Sequence, residues 1–245
     1  MSDFKFPTEV VDLPSKGLVY PKNNPLSSGK VEMKYMTAKE EDILTNQSYI
    51  ERGIVMDKLL ESLIVNKDIN YEDIIVGDKN ALLVAARVLG YGAEYTFEYR
   101  GETETVDLSK LDNKPFDESL LVELNKNEFE FELPRTKQKI TYKILNAKDE
   151  KLIDAELKGY KKISPNASPE LSTRLKFIIQ SVGDDTDKKS IRTFVDNFLL
   201  AQDSRALRTH IKNTQPDVDL TFFPQGRNIS VEIPIGLKFF WPDVD

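Results

Sequence analysis

The chain has 245 residues, 40% hydrophobic and 31% charged, a globular composition with room for one large domain or two small ones. Its 41 acidic and 34 basic residues give a formal charge of −7, which repels phosphate backbones and makes nucleic acid an unexpected partner. With no cysteine, disulfides, thiolate catalysis and cysteine-ligated zinc or iron–sulfur sites are excluded.

The N-terminal "MSDFKFPTEVVDLPSKG" has neither a basic n-region nor an apolar h-region, and no stretch approaches the ~18 apolar residues of a membrane span. The expectation is a protein kept in a cytoplasm-like solvent, with no membrane partner. Prolines at 7, 14, 21 and 25 argue against long regular structure here, while Val10, Val11, Leu13, Leu18 and Tyr20 supply apolar anchors. This pattern fits an extended arm laid over a surface, either the rest of this chain or a neighbouring subunit. Leu13, Leu18 and Tyr20 are accordingly candidate partner-binding residues.

The sequence then repeats itself. "KVEMKYMTAKEEDIL" (30 to 44) matches "KITYKILNAKDEKLI" (139 to 153) at an offset of 139 − 30 = 109. "DKNAL" (78 to 82) matches "DSRAL" (203 to 207) at 203 − 78 = 125, and that offset continues through Thr96-Phe97 on Thr221-Phe222 and Val106-Asp107 on Val231-Glu232. The change of offset places extra residues in the second copy, around "GYKKISPNASPELS". Each copy reads as an alternating strand, then a helix opened by Thr37 or Asn146 as N-cap with an acidic residue in its first turn. Further helices follow: "IVMDKLLESLIV" and "ALLVAARVL" in the first copy, "ELSTRLKFIIQSV", "SIRTFVDNFLLA" and "SRALRTHI" in the second. Asp78 and Ser204 or Asp203 read as caps of the last helix. A hairpin closes each copy, with Arg100-Gly101 and Gln225-Gly226 at the tips. Between the copies, Glu128 to Leu133 alternates strictly, as in a half-buried strand with a solvated carboxylate face.

The expected fold is therefore α+β, two related halves each with a strand, several helices and a ribbon-like hairpin. Its organisation reads as an extended arm over 1–29, a first half over 30–111, a connector with a strand over 112–138, a second half over 139–237 and an aromatic tail over 238–245.

No Walker loop, dinucleotide glycine motif, HExxH, calcium loop or serine elbow is present, and the one histidine, His210, reads as a cation near a helix end. The expectation is a protein that is not an enzyme and has no cofactor, no metal site and no small-molecule substrate. Four ligands for structural zinc cannot be assembled from one histidine and no cysteine, so the melting temperature is expected to be unchanged by EDTA; a drop would refute this.

The chain ends in Phe239, Phe240, Trp241 and Pro242, unusually aromatic for a terminus. Such residues either pin the tail on the protein's own core or serve a partner, since buried aromatics dominate both cores and interface hot spots. All four are candidate partner-binding residues.

Through "LPSKGLVYP" (13 to 21), "VGDKNALLVAARVLGYG" (76 to 92), "DSRALRTHI" (203 to 211) and "VEIPIGLKFFWP" (231 to 242), the chain resembles the baseplate hub subunit and tail assembly proteins of T4-like contractile-tailed phages. The resemblance implies a non-enzymatic structural or assembly role in the baseplate hub, with other hub or tail proteins as partners. It also implies a location in the host cytoplasm during assembly and, for a retained component, in the virion. Some similar phage proteins carry paired cysteines in the last hairpin, like a zinc ribbon; "FFPQGRN" and "EYRGETE" have no such ligands. From another class, a nucleic-acid-binding module using ribbon-like hairpins is suggested by "GYKKIS" and "SRALRTHIKN".

Overall fold

The computed structural model describes residues 7–164, 169–224 and 230–240. It is an α+β structure of small antiparallel sheets and helices. The first half comprises β1 (Thr8–Asp12), β2 (Lys30–Lys34), α1 (Ala38–Leu44), α2 (Gln47–Glu51), α3 (Val55–Leu63), α4 (Val76–Tyr91) and the hairpin β3 (Glu94–Tyr99) and β4 (Glu102–Asp107). The second comprises β5 (Phe129–Glu132), β6 (Lys139–Tyr142), α5 (Ala147–Ile163), α6 (Glu170–Ile178), β7 (Ile179–Val182), α7 (Lys188–Asn197), α8 (Ala201–Thr214), β8 (Thr221–Phe222) and β9 (Val231–Glu232). A short α9 (Leu237–Phe240) follows.

Local chemistry repeats with the sequence. Thr37 and Asn146 each open a helix, and the acidic side chain three residues on reaches back to the cap's own N–H: Glu40 Oε2 at 3.0 Å from Thr37 N, Asp149 Oδ2 at 3.3 Å from Asn146 N. The same acids take a lysine from the preceding strand, Lys34 to Glu40 and Lys143 to Asp149, both at 2.7 Å. Each strand–helix junction is thus locked by one side chain that caps and pairs at once.

The repeat begins earlier than residues 30 and 139. β1 pairs antiparallel with β2, Thr8 opposite Lys34 through Asp12 opposite Lys30, so the expected extended arm lies on this chain, with residues 8–12 as a strand beside β2. β5 pairs with β6 in the same way, from Phe129 opposite Tyr142 to Glu132 opposite Lys139, which brings the end of the connector into the second half. The turn after β1 is "LPSKG" and the turn after β5 is "LPRTK", with Leu13 and Leu133 both buried. Gly17 (φ 78°) and Lys137 (φ 58°) take the same left-handed conformation at the same place in that turn. At Gly17 a side chain would also strike the Ser27 carbonyl, 2.5 Å from where its Cβ would lie.

Two expectations change. "ELSTRLKFIIQSV" is not one helix: α6 stops at Ile178, and Ile179–Val182 form β7 along β6. In the first half the matching third strand shrinks to a bridge between Met33 and Ile64. A continuous apolar run carries no period to tell strand from helix, and the open edge of β6 claims it. The extra residues of the second copy accordingly include α7, not only the stretch after α5. The hairpins also differ in register: Thr96 faces Thr105, while Thr221, its equivalent, faces Glu232. A shift of two residues keeps every side chain on its original face, so the aligned sequence hides it.

The halves share one core. Phe97 and its equivalent Phe222 meet edge to face at 5.0 Å, joining the two hairpins. Residues 112–114 run antiparallel to 217–219, and the start of α4 lies against Pro216, so close that a Cβ on Gly77 would sit 1.8 Å from the Pro216 carbonyl oxygen.

Candidate functional site

The residues singled out as partner-binding are placed mostly inward. Leu13 (2% exposed), Tyr20 (3%), Phe239 (0%) and Phe240 (0%) are core residues, and Leu18 is partly buried against that core. As docking points for another protein Leu13, Tyr20, Phe239 and Phe240 are corrected to internal anchors, because a ring or isobutyl group already excluded from water offers nothing further to bury, and Leu18 is partly spent on the same core. Trp241 and Pro242 lie outside the described residues, as does the Gln225-Gly226 tip.

The arm is fastened by a buried carboxylate that composition does not single out. Asp78, in the first turn of α4, accepts from Ser15 N (2.9 Å), Ser15 Oγ (2.6 Å) and Tyr20 Oη (2.6 Å), and Tyr20 Oη in turn accepts from Ile75 N (3.1 Å). Asp203, its equivalent in α8, accepts from Arg135 N (2.7 Å), Thr136 N (3.2 Å) and Thr136 Oγ1 (2.9 Å). Neither aspartate is the expected helix cap; Ile75 and Leu200 occupy those positions. Each carboxylate instead clamps the "LP" turn of its own half. Burial pushes the Asp78 carboxyl above the usual range against the hydrogen bonds of Ser15 and Tyr20. The legible signal was the pair of "LP" turns, each matched to an aspartate at the start of a later helix.

The tail is fastened by Arg87, a buried arginine of α4. Its Nε donates to the Phe239 carbonyl (3.0 Å), Nη1 to Gly92 O (2.9 Å) and Nη2 to Glu94 O (3.2 Å). Phe239 packs edge-on to Tyr95 at 4.9 Å and to Phe240 at 5.6 Å. The guanidinium thereby spans the end of α4, the start of β3 and α9.

His210 is not a dipole-facing cation. Its ring stacks on Phe131 at 4.6 Å and meets Tyr142 edge-on at 5.8 Å, and burial pushes its pKa down, towards the neutral imidazole. Its Nε2 has no hydrogen-bond partner among the described residues.

A groove of about 520 Å³ runs between the halves, flanked by Lys79, Asn80 and Leu83 of α4 and by Glu150, Lys151 and Asp154 of α5. Lys79 pairs with Asp57 at 2.8 Å, and Lys151 reaches across the halves to Glu72 at 3.0 Å. These ion pairs tie elements together. Among the described residues no group of three or more His, Asp or Glu could hold a metal ion, and no helix is long and apolar enough to cross a membrane.

Glu40 gives a measurable consequence of the strand–helix lock. Burial pushes its carboxyl up, but hydrogen bonds from Lys34, Ser62 and Thr37 outweigh it and hold the pKa down at about 2. A depressed folded pKa stabilises above the unfolded value and is lost as pH falls through the folded one. Glu40→Gln is expected to cost roughly 3 kcal/mol at neutral pH. The gap between wild type and variant should close as the pH is lowered from about 4.5 towards about 2. Urea midpoints across that range test it; a gap independent of pH would refute the charged lock.

The outer surface holds the remaining candidates. Phe198 (63% exposed) and Leu200 (45%) stand at the α7–α8 junction, and Phe223 (70%) follows β8. Arg205 and Arg208 are exposed on α8, five and eight residues after Leu200. Exposed aromatic residues and arginines are enriched at protein–protein interfaces.

This geometry defines the class: an α+β protein of two related halves, held by internal clamps, with its apolar and arginine-rich patches on the outside. No family model, curated protein or solved structure matches the chain.

Proposed function

We propose that this chain is a structural or assembly protein of a contractile-tailed phage baseplate hub, acting through protein–protein contacts with other hub or tail proteins and not as an enzyme. The supporting observation is that three of the four resembling motifs hold one another and the fourth repeats the same clamp in the second half. The "LPSKGLVY" turn is clamped by Asp78 of "VGDKNALLVAARVLGYG", whose Arg87 in turn holds Phe239 of "VEIPIGLKFFWP". The "DSRALRTHI" motif supplies Asp203, which clamps the matching turn of the second half. The residues on which the resemblance rests thus serve the chain's internal packing, which leaves contacts with other proteins to the exposed surface. Within this reading the protein works in the host cytoplasm during assembly, and its persistence in the tail baseplate follows from whether it is retained.

The test is removal of the gene from the phage that encodes it. Lysates should contain heads without assembled baseplates, restored by the gene in trans, and mass spectrometry of purified particles would separate a retained subunit from a released factor. Normal tails in its absence would sink the proposal. Retention on a DNA column persisting at moderate salt would favour the nucleic-acid module instead.

A further inference from the structure

Beside the Phe97–Phe222 hairpin contact, the halves join through a bridge between two unlike patches. The segment entering α4, Ile74 to Val76, lies antiparallel to the segment entering α5, Leu145 to Ala147, with Val76 N donating to Leu145 O and Ala147 N to Ile74 O, both at 3.1 Å. Ile74, Ile75, Leu145 and Ala147 are buried there. A contact made by unlike patches is heterologous, and in a duplicated chain it leaves one patch of each kind unused.

Both unused patches can be located. α8 begins at Ala201 as α4 begins at Val76, and the caps Leu200 and Ile75 are both extended, so Leu199 to Ala201 is the counterpart of Ile74 to Val76. α1 begins at Ala38 as α5 begins at Ala147, so Met36 to Ala38 is the counterpart of Leu145 to Ala147. Where Ile75 is 1% exposed, Leu200 is 45% exposed. The four backbone groups that would form the same bridge, the N–H groups of Ala38 and Ala201 and the carbonyls of Met36 and Leu199, make no hydrogen bond among the described residues.

The charges complete the match. Positions that flank the groove between the halves, Asn80 and Leu83 on α4 with Glu150 and Lys151 on α5, become Arg205 and Arg208 on α8 with Glu41 and Asp42 on α1. All four are exposed, and none makes an ion pair among the described residues. A second copy presenting α1 to α8 would set two arginines against two acids around the Leu200 plug.

We infer that the α7–α8 junction, Leu199 to Ala201 with Phe198, Arg205 and Arg208, is a docking surface for the Met36 to Asp42 patch of a second copy of this chain. The resulting association is head to tail and repeats the bridge between Ile74–Val76 and Leu145–Ala147 within the chain's own joint. It does not depend on the phage assignment.

Sedimentation velocity over a concentration series up to the millimolar range tests this with the full chain. Wild type should associate as concentration rises. Arg205→Glu with Arg208→Glu, and separately Glu41→Arg with Asp42→Arg, should each weaken association roughly tenfold or more, and Leu200→Ser should weaken it in the same direction. Because each chain carries both patches, mixing the two charge-reversed proteins should restore association. Thermal melts of the variants should stay within a few degrees of wild type, since the altered residues are on the surface and the largest expected change, loss of the first-turn acid Glu41, is a helix-dipole effect of that size. A wild type that stays monomeric throughout, association indifferent to both reversals, or a mixture that fails to recover would overturn the inference.

Discussion

Phe239→Ala and Phe240→Ala are each expected to destabilise the protein by about 3–5 kcal/mol, the usual cost of removing a buried ring and leaving its cavity. Both rings are fully buried, and Phe239 sits between Tyr95 and Phe240 while its carbonyl is held by Arg87. The two losses should not add, because the rings touch and each variant disturbs the other's packing. Even so, the double variant should lose most of the ~5–15 kcal/mol that separates a folded domain from its unfolded chain. Denaturant midpoints of the two single variants and the double variant decide the matter. Rings serving only a partner would leave the midpoint unchanged, so an unchanged midpoint in Phe239→Ala would refute the anchor.

Sequence pattern carried the strand–helix units because their signals are local. The Thr37–Glu40 and Asn146–Asp149 pairs lie within one helical turn, and alternation over 30 to 34 and 129 to 132 exposes one face of each strand. It carried the duplication too, since equivalent residues keep equivalent jobs down to the lysine that pairs with each capping acid. What stayed hidden is long-range. Whether Leu13, Tyr20 or Phe239 faces the core or a partner is undecidable from composition, because interface centres and cores use the same side chains. The roles of Asp78 and Arg87 depend on partners 63 and 152 residues away. The helix-to-strand switch at Ile179 depends on a free edge of β6 that no neighbouring residue encodes.

Asp78→Ala should cost about 3–5 kcal/mol, since it removes the acceptor of a buried network and leaves its donors stranded. Ser15 N, Ser15 Oγ and Tyr20 Oη would all lose their partner, and Tyr20 would keep only the hydrogen bond it accepts from Ile75 N. Asp78→Asn should cost about half as much, because one carbonyl oxygen can still take the Ser15 N–H while the hydroxyls rotate to accept from the amide. The pH trend is opposite in sign to that of Glu40. Burial raises the folded pKa of Asp78, so in the window above the unfolded value its protonation favours the folded state, and this contribution to stability improves as the pH falls into that window. The clamp also has a local readout. Lys16 is exposed within the clamped turn, so trypsin should cut after it faster in Asp78→Ala than in wild type. Asp203→Ala should behave as its mirror, with cleavage accelerating at Arg135 and Lys137 of the matching turn and not at Lys16. If each aspartate protects only its own "LP" turn, the two halves are the same device built twice. Equal acceleration at both turns in either variant would mean that the clamps report global unfolding and hold nothing locally.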